Sequence, residues 1–459
     1  MNLRRTPIYF LSALCLTCCL WGAATALATP LDDYVAKPDP AFEYSLKLTT
    51  ESPAYTTYAY HMVSQTWLDT TKVDRPKWEH WLVVTVPKEV EFNKAFMFIG
   101  GGGNHTGEDD NAPTDAGPLS MVAVLTKTIV AEIKQIPNQP LHFTGEKMEK
   151  YKEKGRVEDE LITYGWDKFL KDGDPLWLPR LPMTKAVVRA MDVIQKEYPK
   201  IDGFFVAGGS KRGWTTWTTA AVDKRVVGIA PAVIDVLNIV PSLDNHFNAY
   251  GFWAPAVGNY VEMDICSRIH TPEFAELAKI VEPYSYRDRF TMPKYIVNGS
   301  GDQFFPPDSW KFYFNDLPGE KYLCYVPNTD HGLNAEAYAN LASFYYAIFK
   351  GTPRPKFSWE RAKDGSLKVQ CETKPTSVLL WKAHNPKARD FRLESVGKIY
   401  ESAPLAESSP GVYEASEKPG DTGWTAFFIE LTFDNPGFPK PFKFTTGISI
   451  VPDTYPGKK

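Results

Sequence analysis

The stretch Phe204-Phe205-Val206-Ala207-Gly208-Gly209-Ser210-Lys211-Arg212-Gly213-Trp214 leaves a chain few ways to fold. An apolar run short enough for a buried strand meets two glycines and a serine, and a helix-compatible segment starts at Lys211. A serine held in so sharp a strand-to-helix turn needs small neighbours, because larger ones would collide with the strand and the helix. Gly208 meets that need on one side. On the other side the expected glycine is displaced by one place, since position 212 is Arg and the glycine arrives at 213. The outline is a nucleophile elbow with Ser210 at its tip. An ordinary Gly-Gly-Ser turn uses the same letters, so partners elsewhere must decide.

The elements before the elbow suit a layered α/β fold. Tyr58–Trp67 and His80–Val86 are rich in aromatic and β-branched residues and predict strands. A third strand, Lys94–Ile99, runs into Gly100-Gly101-Gly102-Gly103-Asn104-His105. Four consecutive glycines let the backbone approach something closely or adopt dihedrals other residues avoid. Beside a serine elbow such a loop supplies one backbone N–H of an oxyanion hole. A phosphate cradle is disfavoured, because no Lys-Ser/Thr follows in register. Met121–Ile136 holds a strand and part of a helix, and Glu158–Leu170 has helical spacing. Thr184 is the expected N-cap of a helix Lys185–Tyr198, which Pro199 ends just before the elbow strand. Helix, strand, Ser and helix in that order predict a doubly wound, mostly parallel sheet.

Beyond the elbow, Val226–Val233 predicts another buried strand, and 241–286 lacks alternation and holds many aromatics, as a helical cap insertion over the sheet's carboxyl edge would. Pro293–Val297 and Tyr322–Val326 are short strands. The first leads to Asn298-Gly299-Ser300-Gly301-Asp302-Gln303-Phe304-Phe305, the second to Pro327-Asn328-Thr329-Asp330-His331-Gly332. The order Ser210, Asp302, His331 is that of α/β-hydrolases and differs from both major serine-protease orders. Loops at the carboxyl ends of parallel strands share one edge of the sheet, so the three side chains can converge. Ser210 is then the nucleophile, His331 the base, and Asp302 the group that orients the imidazole. The backbone N–H groups of Lys211 and of Gly101 and Gly102 would hold the oxyanion, with Asn104 at the pocket edge. Asp235 is the main rival for the acid because it also follows a strand; Asp308 and Asp330 rank below it.

Residues 1–28 predict a signal peptide: Arg4 and Arg5, an apolar run from Ile8 to Leu20, and Ala26-Leu27-Ala28 as a cleavage site. The mature chain is expected to be secreted or periplasmic, with no stable membrane anchor after cleavage. Its formal charge moves from −4 to −6 once Arg4 and Arg5 are removed, and no basic patch stands out, which excludes nucleic acid as a partner. Cys266, Cys324 and Cys371 remain, enough for one disulfide at most. The eight histidines form no metal-ligand motif, so neither a metal nor another cofactor is expected.

Gly208-Gly209-Ser210-Lys211-Arg212-Gly213-Trp214, Leu181-Pro182-Met183-Thr184-Lys185, Asp302-Gln303-Phe304-Phe305 and Pro327-Asn328-Thr329 with His331 resemble the PhoPQ-activated pathogenicity-related (PqaA-like) proteins. The resemblance runs from about Tyr34 into the C-terminal region. It implies an α/β-hydrolase with an appended β-rich domain, a secreted or periplasmic location, and a link to virulence and resistance to host peptides. Eukaryotic autocrine proliferation repressors look related. A similar elbow in glucuronoyl esterases has a basic residue after Ser that helps hold the oxyanion, which implies the same for Lys211.

After Lys350 the character changes. Gly351-Thr352-Pro353-Arg354-Pro355 predicts a linker, and Ser366–Glu372, Thr376–Lys382, Asp390–Glu394, Trp424–Phe433 and Phe442–Val451 are short alternating runs. The expected division is a signal peptide 1–28, an α/β-hydrolase domain 29–352 and an immunoglobulin-like β-sandwich 353–459. Two function classes follow: a serine hydrolase acting through an acyl-enzyme on a small-molecule ester or a peptide, or a secreted binding or signalling protein on the same scaffold.

Overall fold

The computed structural model describes residues 28–104, 111–418, 420 and 422–456. The expected signal peptide lies outside these residues except for Ala28, and His105 also lies outside them. Among the described residues no helix is long and apolar enough to cross a membrane.

The apolar run of the elbow strand is buried on both faces. Phe204 and Val206 belong to one core, while Phe205 and Ala207 belong to the other, as alternation in a strand covered on both sides demands. The strands before and around it are β1 (Glu43–Glu51), β2 (Tyr55–Thr66), β3 (Lys77–Pro87), β4 (Lys94–Ile99), β5 (Ile129–Ile133), β6 (Gly203–Gly209), β7 (Val226–Ala232), β8 (Lys294–Gly299) and β9 (Lys321–Val326). They lie in the order β1-β2-β3-β5-β4-β6-β7-β8-β9. The ladder is antiparallel up to β5 and parallel from β5 to β9. One face carries the helices Arg180–Glu197 and Lys211–Val222; the other carries Pro118–Thr126 and Ala335–Lys350. The order reverses at β4, whose chain leaves to one face while that of β6 leaves to the other. The crevice at their carboxyl ends is therefore the switch point of the sheet, where such folds bind ligands.

Two local expectations change. The second long helix starts at Arg180 instead of Lys185, and Thr184 is inside it with Oγ1 on the Arg180 carbonyl at 2.9 Å. Pro182 is tolerated because N–H groups in a first turn have no intrahelical acceptor. Asp390–Glu394 is not a strand; a short helix, Leu393–Val396, occupies its end. The segment 241–286 is helical, as a cap insertion requires.

The C-terminal strands are β10 (Phe357–Arg361), β11 (Leu367–Cys371), β12 (Ser377–Asn385), β13 (Glu401–Pro404), β14 (Val412–Ala415), β15 (Trp424–Phe433), β16 (Phe442–Thr445) and β17 (Ser449–Val451). β10, β11 and β14 form a small separate sheet. The others extend the main sheet as β9-β16-β15-β12-β13, with β17 on β15. The two layers share a core that includes Leu367, Val369, Phe427 and Ile429, as in a sandwich. An immunoglobulin-like form is nevertheless not what they build, because β16 is joined to β9 through Thr445 and Leu323. Cys266, Cys324 and Cys371 are all free thiols.

Candidate active site

Ser210 follows β6 with φ 56° and ψ −124°, a strained conformation for a residue with a side chain. The surroundings explain how the turn is held. Ser210 N–H donates to the Ala232 carbonyl at 2.8 Å, and its own carbonyl accepts from Trp214 N–H at 2.9 Å. A Cβ on Gly208 would lie 2.8 Å from the Arg212 carbonyl oxygen, and one on Gly213 would lie 2.8 Å from that of Ala232. Both flanking positions of the elbow must be glycine, and the displaced one at 213 serves the crossing with β7.

Asp302 and His331 reach the same edge from the loops after β8 and β9. The loops are laced together: Ser300 N–H donates to the Val326 carbonyl at 3.0 Å, Gly301 N–H to Thr329 at 2.9 Å, and Asn328 N–H to Ser300 Oγ at 2.9 Å. His331 Nδ1 lies 2.8 Å from Asp302 Oδ2, and Asp302 is 3% exposed. The carboxylate fixes the proton on Nδ1 and leaves Nε2 as the acceptor. Nε2 is buried and has no partner. Phe304 packs on the imidazole at 4.3 Å between ring centroids.

A cavity of ≈ 50 Å³ opens at Ser210, lined also by Lys211, Asp159, Arg180, Trp214, Tyr260, Phe304 and Phe305; Asp302 and His331 do not line it, and Ser210 Oγ makes no hydrogen bond to His331 Nε2. The elbow and the ring that covers His331 thus face one space. A larger groove of ≈ 880 Å³ runs past Lys321 and Pro353 at the other end of β9, apart from Ser210.

The glycine loop is pinned by the segment after β5. Carbonyls of Gly100, Gly101 and Gly102 accept from Ile136 N–H, Gln135 N–H and Gln139 Nε2, while Gly101 and Gly102 donate no backbone hydrogen bond among the described residues. A Cβ on Gly101 would meet Arg212 Nη2 at 2.7 Å, and that guanidinium is held by Glu158 and the Ile136 carbonyl, so the place favours glycine. Asn104 departs from expectation. It is 4% exposed, and its Nδ2 donates to the Glu79 carbonyl at 2.9 Å and to Asn138 Oδ1, so its amide staples the loop instead of edging a pocket. Lys211 also differs in its side chain: Nζ is held by Asp159 at 2.8 Å and Glu158 at 3.2 Å. Its backbone N–H begins the elbow helix.

Rival acids are engaged elsewhere. Asp235 accepts from Tyr313 at 2.6 Å and Tyr325 at 2.5 Å. Asp308 pairs with Arg389 and Lys311, both at 2.6 Å. Asp330 is on the loop and accepts from Gly332 N–H.

Sequence reasoning missed Glu158, Asp159 and Arg180, whereas Tyr260, one of the cap-insertion aromatics, lines the cavity as expected. Glu158 takes both nitrogens of Arg212, at 2.8 and 2.5 Å. Burial pushes its pKa up, but Arg212 and Lys211 outweigh that and hold it at about 2. Glu158 and Asp159 stand in a charged stretch that looks like any solvated surface, and Arg180 stands among prolines; neither carries a local signal.

The chain is similar to known proteins over most of its length. It is 35% identical over 466 residues to autocrine proliferation repressor protein A of Dictyostelium discoideum, covering 94% of this chain and 92% of that one. It is 28% identical over 156 residues to acetyl esterase Axe7A of Xylanibacter ruminicola, covering 33% of this chain and 32% of that one. Acetyl xylan esterase 1 of Thermoanaerobacterium sp. aligns with a TM-score of 0.46 at 16% identity, covering 70% of this chain and 93% of that one. The model of the PhoPQ-activated pathogenicity-related proteins matches residues 31–392. The chain therefore belongs to the PhoPQ-activated pathogenicity-related protein family.

Proposed function

We propose that the protein is an exported serine hydrolase that cleaves an ester through an acyl-enzyme. The observation that carries this reading is the 2.8 Å bond from Asp302 to His331 Nδ1, with Nε2 buried and unpartnered, on the sheet edge that bears the Ser210 elbow. In the first half-reaction Ser210 Oγ attacks the carbonyl carbon while its proton passes to His331 Nε2. The imidazolium returns that proton to the departing alkoxide as the acyl–oxygen bond breaks. Water then attacks the acyl-enzyme with the same base, releasing the acid and restoring Ser210. The N–H groups of Lys211, Gly101 and Gly102 are assigned to the oxyanion. Ester over peptide is favoured by the likeness to an acetyl esterase. Export fits the helix cap that directly follows the expected cleavage site, where Thr29 N–H and Oγ1 both donate to Asp32 at 2.8 Å.

Protein recovered from outside the cytoplasm should begin at Thr29 by intact mass, and a fluorophosphonate should label it at Ser210. Folded wild-type protein that takes no label rules the reading out. The likeness to an autocrine proliferation repressor supports a second reading, a signalling protein in which hydrolysis is dispensable. In that case Ser210→Ala keeps the full biological effect although labelling is lost.

A further inference from the structure

In the cavity at Ser210, Arg180 has no ion pair of its own, although Asp159 and Tyr260 lie near enough to favour its charge. Arg180 is 2% exposed, and its guanidinium lies 4.4 Å above the Trp214 ring. Nη1 donates to the Lys211 carbonyl at 2.9 Å, whereas Nε has no hydrogen-bond partner. Its neighbours are matched. Arg212 is taken by Glu158 at 2.5 Å, and Lys211 by Asp159 at 2.8 Å and Glu158 at 3.2 Å. Tyr260 OH donates to the other Asp159 oxygen at 3.2 Å. Three cations thus face two carboxylates, and Arg180 is the one that forms no ion pair among the described residues. Burial pushes its pKa down, yet a guanidinium keeps its proton inside a protein.

A buried cation without a directly paired anion is costly; Tyr260 and the more distant Asp159 offset part of that cost, and the remaining wall is apolar, with Trp166, Val236, Ile239 and Leu243. Stacking on Trp214 compensates only part of the lost hydration. We infer that the acyl half of the substrate carries a carboxylate that enters this cavity and pairs with Arg180 while the scissile carbonyl sits at Ser210. The inference rests on the serine-hydrolase reading above. A carboxylate matches the edge of a guanidinium and would give the idle Nε–H an acceptor. A cavity of ≈ 50 Å³ admits only a short spacer, which points to half-esters of small dicarboxylic acids. Asp159 does not oppose such a ligand, because Lys211 and Tyr260 already occupy its oxygens.

The test compares 4-methylumbelliferyl butyrate with 4-methylumbelliferyl hemisuccinate on the full-length protein, with Ser210→Ala as the blank. The two acyl groups have the same carbon count and differ in the terminal carboxylate. The hemisuccinate should show a kcat/KM higher by about tenfold or more, the usual worth of one charge-assisted contact. Arg180→Lys should bring the ratio toward unity, where a merely structural loss would lower both substrates alike. If protein that takes the fluorophosphonate label turns over the hemisuccinate no better than the butyrate, or neither ester at all, the inference is overturned and the hydrolase reading stands. If the label also fails, both fall together.

Discussion

Asp235 follows a strand of the parallel sheet, as Asp302 does, and differs from it in what it touches. Asp302 reaches an imidazole; Asp235 is enclosed between two tyrosine hydroxyls. Burial pushes the Asp235 carboxyl up to about 7, against the lowering effect of those two hydrogen bonds. Burial likewise pushes Glu282 up to about 8. A carboxyl whose pKa is raised by folding binds its proton more tightly in the native state. Its stabilising contribution is complete below the unfolded value of 3.8 and is lost as the pH rises through about 7. Wild-type protein should therefore lose stability between about pH 5 and pH 8, and Asp235→Asn should lose on the order of 2 kcal/mol less over that range. Thermal melts at the two pH values decide this, and parallel behaviour of both proteins would count against it. The same two acids show what sequence order can and cannot tell. Both Asp235 and Asp302 follow a strand and lie between Ser210 and His331, so chain order admits either. What separates them physically is Tyr313 and Tyr325, whose approach to Asp235 comes from tertiary packing.

The elbow illustrates why some of the site could be read directly. A backbone with positive φ at Ser210, crossed closely by β7, leaves a mark on the sequence, because Gly208 and Gly213 have no room for a Cβ. Gly209 is different: a Cβ there would find only Val233 Cγ2, at an ordinary 3.7 Å. Gly213→Ala should accordingly cost about 1–3 kcal/mol, since backbone oxygens must shift, and Gly209→Ala should stay within about 0.5 kcal/mol. Denaturant unfolding of the pair measures both, and equal costs would contradict the crowding argument. Arg180 left no such mark. It stands between Pro179 and Pro182, residues that read as helix breaks, while the helix starts at 180 and carries Pro182 in its first turn. Apolar spacing located that helix but could not mark the cation at its start, because the residues that leave Arg180 without an ion pair come from two other elements.

At the scale of the molecule, the chain after Lys350 is tied to the rest by buried polar contacts as well as by the sheet. Arg389 holds Asp308 at 2.6 Å, Trp310 Nε1 donates to the Ile448 carbonyl at 2.9 Å, and Tyr295 OH donates to the Lys443 carbonyl at 2.9 Å. Truncation at Lys350 removes all three and uncovers the edge of β9. Losing one partner of a buried ion pair alone costs about 3–5 kcal/mol. The truncated chain should lack cooperative unfolding and near-UV circular dichroism, and a native-like melt from it would refute this. The change in composition after Lys350 was legible, and so were most strands beyond it. Their attachment was not, because a pairing between strands so distant in sequence depends on register and shape that no local pattern records.

That attachment also orders events in time. Thr445, close to the C-terminus, pairs with Leu323 at the border of the parallel strands. While the polypeptide is still emerging from the ribosome, β9 has an open flank, and the seal arrives only once Thr445, far downstream of Leu323, has been made. Until then the nascent chain exposes an unpaired strand edge, the kind of surface that chaperones shield. Maturation must therefore wait for β16, whatever the elbow has already achieved.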